Sequence, residues 1–213
     1  NSYTFGRAID LNSDNDGTVT LTDIFHPEYN RGPADYDVTH TFSSNWIYEL
    51  PWAAQHPWGG WQLSGILYLR SGLPITITQS QSMLSTGLTN NRPNTICDPV
   101  SSSPTIAQWF NTSCFQQVAD TTGTFGNTGR NSVRGPGQFN IDASVIKNTK
   151  IGPVASELRI EVFNLLNHPQ FANPNAQFGN SAFGTISAML ASPSCALCGT
   201  TERQMQVAVK LKF

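Results

Sequence analysis

The sequence predicts an all-β fold: an antiparallel up-and-down sheet forming the C-terminal part of a transmembrane β-barrel, with long outer loops and short periplasmic turns. Three observations predict it: a two-residue apolar/polar alternation in five runs, short connections alternating with long ones, and an aromatic residue at the chain end. The last run, Arg203 to Phe213, reads R-Q-M-Q-V-A-V-K-L-K-F. Met205, Val207, Val209, Leu211 and Phe213 fall on one side of a strand, and Gln204, Gln206, Lys210 and Lys212 on the other; Ala208 fits either. A soluble sandwich would bury the apolar row against a second sheet. A barrel buries it in lipid and turns the polar row to a wet lumen.

The other runs repeat the pattern in order. Ser2 to Ile9 reads as the upper end of a first strand. In Asp37 to Leu50, Val38, His40, Phe42, Trp46, Tyr48 and Leu50 alternate with Asp37, Thr39, Thr41, Ser43, Asn45 and Glu49, and Ile47 is the exception. In Gly60 to Gly72, Trp61, Leu63, Leu67 and Leu69 oppose Gln62, Ser64, Tyr68 and Arg70, with Ile66 breaking the polar row. Phe139 to Ile151 sets Phe139, Ile141, Ala143 and Val145 against Asn140, Asp142, Ser144 and Asn148. Glu157 to Asn167 sets Leu158, Ile160, Val162 and Leu166 against Glu157, Arg159, Glu161 and Asn167. Each run has about the 9–11 residues a tilted strand needs to cross a bilayer. Strands are therefore expected near 37–50, 60–72, 138–150, 157–167 and 203–213. Phe42, Trp46, Leu63, Leu67, Ile141, Val145, Ile160, Val162, Val207 and Leu211 are expected to share one lipid-facing surface, and Phe213 is the candidate C-terminal barrel-assembly signal.

Pro51 to Gly59 and Gly152 to Ser156 are short connections, whereas Pro74 to Gly137 and Pro169 to Thr201 are long and rich in Gly, Pro, Asn and Ser. Starting from Phe213 at the periplasmic rim, strand directions then alternate consistently. Trp46, Tyr48, Trp52, Trp58 and Trp61 cluster around one short turn, as an interfacial girdle or a soluble aromatic core would. Residues 1–213 read as a single domain, 38% hydrophobic and 12% charged, which argues against disorder. A net charge of −2 supplies no basic stripe for nucleic acid. No 18-residue apolar run is present, which excludes a membrane helix and leaves a barrel open. No signal peptide is present, so either one is removed on export or the chain is a piece of something longer.

Several segments carry a family resemblance. They are Y-T-F-G-R-A-I-D at Tyr3 to Asp10, R-G-P-A-D-Y-D-V-T-H at Arg31 to His40, L-R-S-G-L-P at Leu69 to Pro74 and F-G-N-T-G-R-N-S-V-R-G-P-G at Phe125 to Gly137. F-N-I-D-A-S at Phe139 to Ser144, R-I-E-V-F-N-L-L-N-H-P-Q-F at Arg159 to Phe171 and F-G-T-I at Phe183 to Ile186 continue it. The chain resembles the C-terminal barrel region of TonB-dependent outer-membrane receptors of the Oar-like type. The resemblance implies a carboxypeptidase-regulatory-like domain and a plug ahead of a barrel of about 22 strands. Neither is in this sequence, and about six strands are too few to close a barrel, which starts at about eight. The implied function is transport across the cell outer membrane by barrel wall and ligand-facing loops. Its partners would be outer-membrane lipid, the rest of the barrel, the plug, and TonB through regions outside this chain. The alternative is a secreted or cell-surface β protein that binds calcium and self-assembles through open sheet edges.

Asn12 to Asp23, N-S-D-N-D-G-T-V-T-L-T-D, spaces oxygen side chains as a calcium loop does: Asn12, Asp14, Asp16, Thr18, Thr20 and Asp23, with Gly17 at the turn and Val19 apolar. An Asp/Asn turn cluster in a surface loop is the competing reading. Cys97, Cys114, Cys195 and Cys198 fall in loops expected to face an oxidising space, and the simplest of three connectivities is Cys97–Cys114 with Cys195–Cys198. C-A-L-C lacks the βαβ context of a redox motif and a second half for a zinc site. His26, His40, His56 and His168 are scattered, three of them before Pro, and read as turn residues. Glu157, Arg159, Glu161 and Asp142 read as a polar-face charge ladder. No catalytic motif is present, and no enzyme is expected.

Overall fold

The computed structural model describes residues 1–13, 22, 23, 25–51, 59–79, 91–119, 123–190 and 202–213. Six antiparallel strands form its main sheet: β1 (Ser2–Phe5), β2 (His40–Glu49), β3 (Trp61–Arg70), β4 (Gln138–Ile151), β5 (Val154–Phe163) and β6 (Gln204–Lys212). Each pairs with its neighbour in sequence, so the sheet is an up-and-down meander with β1 and β6 at its two edges. It is not closed into a barrel. The two-residue period is the cause, because it gives each strand one apolar and one polar face and fixes the register that keeps like with like.

The β4–β5 connection is tighter than the sequence indicates. Ile151 pairs with Val154, leaving Gly152 and Pro153 as the loop. Gly152 lies at φ +60, the first position of a type II′ turn, which Gly fills without a Cβ clash. β5 therefore starts earlier than expected and ends earlier too, at Phe163 rather than near Asn167. Asn164 stops it. That residue takes φ +49, donates its N–H to Asp142 Oδ1 at 2.8 Å, and exchanges two 2.9 Å bonds with the His168 backbone. Asp142 thus caps a turn and does not join the charge ladder. The first strand is also shorter than Ser2 to Ile9: after Phe5 the chain leaves the sheet, and Ile9–Asp10 pairs with Gly32–Pro33.

The hydrophobic core lies outside the sheet. Among the described residues Ile146 is the one buried apolar side chain on a sheet strand; Ala34, Ile75, Ile77, Phe110, Phe115, Val118, Val133 and Ile186 belong to the long connections. Those connections fold into a cap. Ile77, Phe110, Phe115 and Val133 form its centre, with Trp109, Phe178 and Phe183 against them. Phe183 meets Phe110, Phe115 and Phe178 edge-on at centroid distances of 5.1, 5.6 and 5.5 Å, a preferred aromatic geometry. Two-residue pairings tie the cap together: Pro74–Ile75 with Val133–Arg134, Asn94–Thr95 with Phe115–Gln116, and Thr78–Gln79 parallel to Gln177–Phe178.

Candidate functional site

Directly paired residues of antiparallel strands share a face, so the register assigns every sheet side chain to one side. One row runs Tyr3, Phe42, Leu69, Phe139, and the next is centred on Leu67 and Ile141. Below it lie Trp46, Gly65, Ala143, Val162 and Met205, and then Tyr48, Leu63, Val145, Ile160 and Val207. Trp61, Lys147, Leu158 and Val209 follow, and Leu211 lies opposite Ser156. All ten residues expected on one apolar surface lie on this face. No protein element covers it among the described residues: Val207 is 65% exposed, and Met205, Val209, Leu211, Trp46 and Tyr48 are exposed as well. Gly65 is the low point of the face, filled from the side by the Trp46 indole, which a Cβ on Gly65 would meet at 2.5 Å.

Aromatic groups gather at both ends of the face. Toward the turn end, Lys147 Nζ donates to the Gly59 carbonyl and sits 5.3 Å above the Trp61 ring. Trp46, Tyr48 and Trp61 lie on three successive rows of this face, while Trp52 and Trp58 lie outside the described residues. Toward the cap, His40 Nδ1 bonds Tyr3 OH at 2.9 Å and its ring lies 5.3 Å from Phe5; His168 stands edge-on to Phe139 at 5.4 Å. The expectation that the histidines are turn residues holds for His168. It fails for His40, which lies within β2 on the apolar row.

The opposite face is polar and ion-paired. Arg159 donates to Glu157 at 2.9 Å and lies 3.6 Å from Glu161, and Ser64 Oγ bonds Ser144 Oγ at 2.6 Å. Three isoleucines break the alternation and lie here: Ile146, opposite Gln62 and Arg159, and Ile47 and Ile66, diagonal to each other across β2 and β3. Ile47 and Ile66 line an open groove of about 340 Å³ with Asn45, Ser64, Ser144 and Phe163.

Two arginines clamp the first loop to the cap. Arg134 Nη2 pairs with Asp37 Oδ2, while Asp37 Oδ1 accepts the Ala8 N–H at 2.7 Å. Arg130 pairs with Asp10, reaches Asp35 at 2.8 Å and donates to Ser13 Oγ at 2.7 Å; Asn131 Nδ2 donates to the Pro33 carbonyl at 2.7 Å. Burial raises the Asp37 carboxyl, but the hydrogen bonds from Arg134 and Ala8, with the Arg134 charge, outweigh it and leave Asp37 below the usual carboxylate range. Asp10 is lowered in the same way, burial again being outweighed by Ser13 and Arg130. Sequence reading missed this clamp. Its only signal was that the R-G-P-A-D-Y-D and R-N-S-V-R-G-P-G segments, both used for the family resemblance, turn out to bind each other.

Cys97 and Cys114 form a disulfide with Cα atoms 4.9 Å apart. Cys195 and Cys198 lie outside the described residues. So do Asp14, Asp16, Thr18 and Thr20 of the calcium-loop reading. Of its ends, Asp23 Oδ1 accepts the Phe25 N–H at 2.8 Å in an Asx turn, and Asn12 precedes Ser13. Among the described residues no group of three or more His, Cys, Asp or Glu is placed to hold a metal ion.

A sheet apolar on one side and ion-paired on the other, capped on its long-loop side and with β4 and β5 joined by the two residues Gly152 and Pro153 at the other end, is what a membrane wall requires. A family model for the outer membrane beta barrel domain matches residues 1–206. No curated protein and no solved structure matches the chain. The chain belongs to the outer membrane beta barrel domain family, and its place is the outer membrane.

Proposed function

We propose that this barrel region is the wall and outer loops of a TonB-dependent receptor that imports a ligand through the outer membrane. In this reading the face carrying Val207, Ile160, Val145 and Leu63 meets hydrocarbon, and the face carrying Arg159, Glu157 and Glu161 lines the lumen. The observation that carries it is the cap. An inert barrel needs only loops long enough to join strands, whereas these loops carry an aromatic core, a disulfide and two arginine clamps. Pre-organised loops of this kind bind ligand without first being ordered. Both sheet edges expose unpaired backbone groups, which lipid does not tolerate, so further strands pair with β1 and β6. A plug inside that closed barrel and TonB beneath it complete the machine.

In-cell cross-linking of the full-length protein to TonB tests the receptor reading. A TonB adduct that grows when ligand-rich medium is supplied is the expected result. A protein that never cross-links to TonB, in cells whose other receptors do, removes the receptor reading and leaves an outer-membrane barrel of another kind.

A further inference from the structure

We propose that the turn end of the polar face is a binding site for a small multivalent oxyanion of the phosphate class. The register places three lysines together there. Lys150 lies opposite Ala155, and Ala155 opposite Lys212; one row further along, Asn148 lies opposite Glu157, and Glu157 opposite Lys210. Ala155 is the reason for the space between them. Its methyl group leaves a gap between two long side chains, and a cleft of about 270 Å³ opens there, lined by all three lysines with Asn148, Ser156 and Glu157. Strands are about 4.8 Å apart, so the Lys150 and Lys212 backbones stand roughly 10 Å from each other across the cleft. That span suits two flexible four-carbon stems that bend inward onto one ion.

The cleft sets three ammonium groups against one carboxylate. Glu157, the one carboxylate lining it, is engaged by Arg159 at 2.9 Å, and Arg159 also faces Glu161. Among the described residues no carboxylate forms an ion pair with Lys150, Lys210 or Lys212. Arg130 and Arg134, by contrast, are ion-paired, with Asp10 and Asp35 and with Asp37. Lys147 has a different setting, on the opposite face against Trp61. Three ammonium groups around one cleft make a place for a mobile anion. Three point charges favour a multivalent oxyanion over a monovalent one. The cleft size favours a small ion over a polypeptide. The register of β4, β5 and β6 and the cleft at their turn end define the site, whatever the receptor imports.

The test is calorimetric titration of the full-length protein, in a zwitterionic detergent at low ionic strength, with inorganic pyrophosphate. One saturable site is expected. Lys150→Gln and Lys212→Gln should each weaken it about tenfold or more, the scale of one charge-assisted contact. Lys150→Arg should stay within about threefold of wild type, and Lys147→Gln, which removes the same charge from the other face, should bind like wild type. Heat-modifiable gel migration reports whether each variant is folded. Folded wild-type protein with no saturable heat overturns the proposal, and so does Lys147→Gln weakening binding as much as Lys150→Gln, which would reduce the effect to net charge.

Discussion

Val207→Arg puts a cation on the apolar face of β6, and its cost follows from depth. β6 spans nine residues, Gln204–Lys212. At about 3.4 Å per residue and a tilt of about 40°, it covers roughly 21 Å of bilayer height, close to the apolar band of about 25 Å. Val207 is its fourth residue, about 3 Å from the strand midpoint. It is opposite Ile160 and 65% exposed to whatever surrounds the face. An arginine near the midplane costs about 2–4 kcal/mol, and the small offset places the expected loss at about 2–3 kcal/mol. Gln206→Arg is the paired control. Its side chain projects from the other face opposite Glu161, so the loss should be close to zero. Reversible folding of the full-length protein into phospholipid vesicles, followed across a denaturant titration, gives both values. Val207→Arg as stable as wild type, or Gln206→Arg as costly as Val207→Arg, would refute the assignment of this face to lipid.

Replacing Cys97 and Cys114 by Ser opens a loop with a sequence separation of 17. About 3 kcal/mol of cap stability should go with it, read as faster proteolysis between β3 and β4 while the strands stay protected. Non-reducing peptide mapping that recovers Cys97 and Cys114 as free thiols would contradict the bridge. Asp37 and Asp10 titrate below their unfolded values, so the stability they lend is complete above about pH 4 and fades as pH falls through the lowered folded values. Asp37→Asn should flatten that acid dependence and cost about 2–4 kcal/mol at neutral pH, because Arg134 loses its buried partner; an unchanged acid profile in a cap-unfolding assay would exclude the clamp as its source. Calcium should bind the Asn12 to Asp23 loop with a heat that Asp14→Ala and Asp16→Ala each abolish. Equal heats from wild type and both variants would leave an ordinary acidic turn.

The wall was legible because a strand in lipid is read two residues at a time. The rows through Phe42, Leu63, Val145, Ile160 and Val207 followed from alternation alone, and the pairing register aligned them without exception. The ends of strands were less legible. At Asn167 the alternation continues, and what stops β5 earlier is a left-handed Asn164 bonded to Asp142, a contact across strands that no local pattern records. The cap was not legible as a structure. Its core joins Ile77, Phe110, Val133 and Phe183 from distant positions with no period between them, and its clamps pair Asp37 with Arg134 across 97 residues. Long-range pairing of that kind leaves composition as its only trace, and Gly, Asn and Ser say loop without saying which loop.

The disulfide sits in the connection between β3 and β4, and that position bears on how the wall is made. The cap buries its aromatic core against itself and can form in water; the wall has an uncovered apolar face and needs lipid. The two halves therefore mature in different solvents. The connection has to cross the bilayer before β3 and β4 can span it. Oxidation in the periplasm would close the Cys97–Cys114 ring first, so what crosses would be a doubled chain and not a single thread. The passage that admits the strands must then be wide enough for two backbones side by side, and the timing of one oxidation sets how large a hole the membrane has to tolerate.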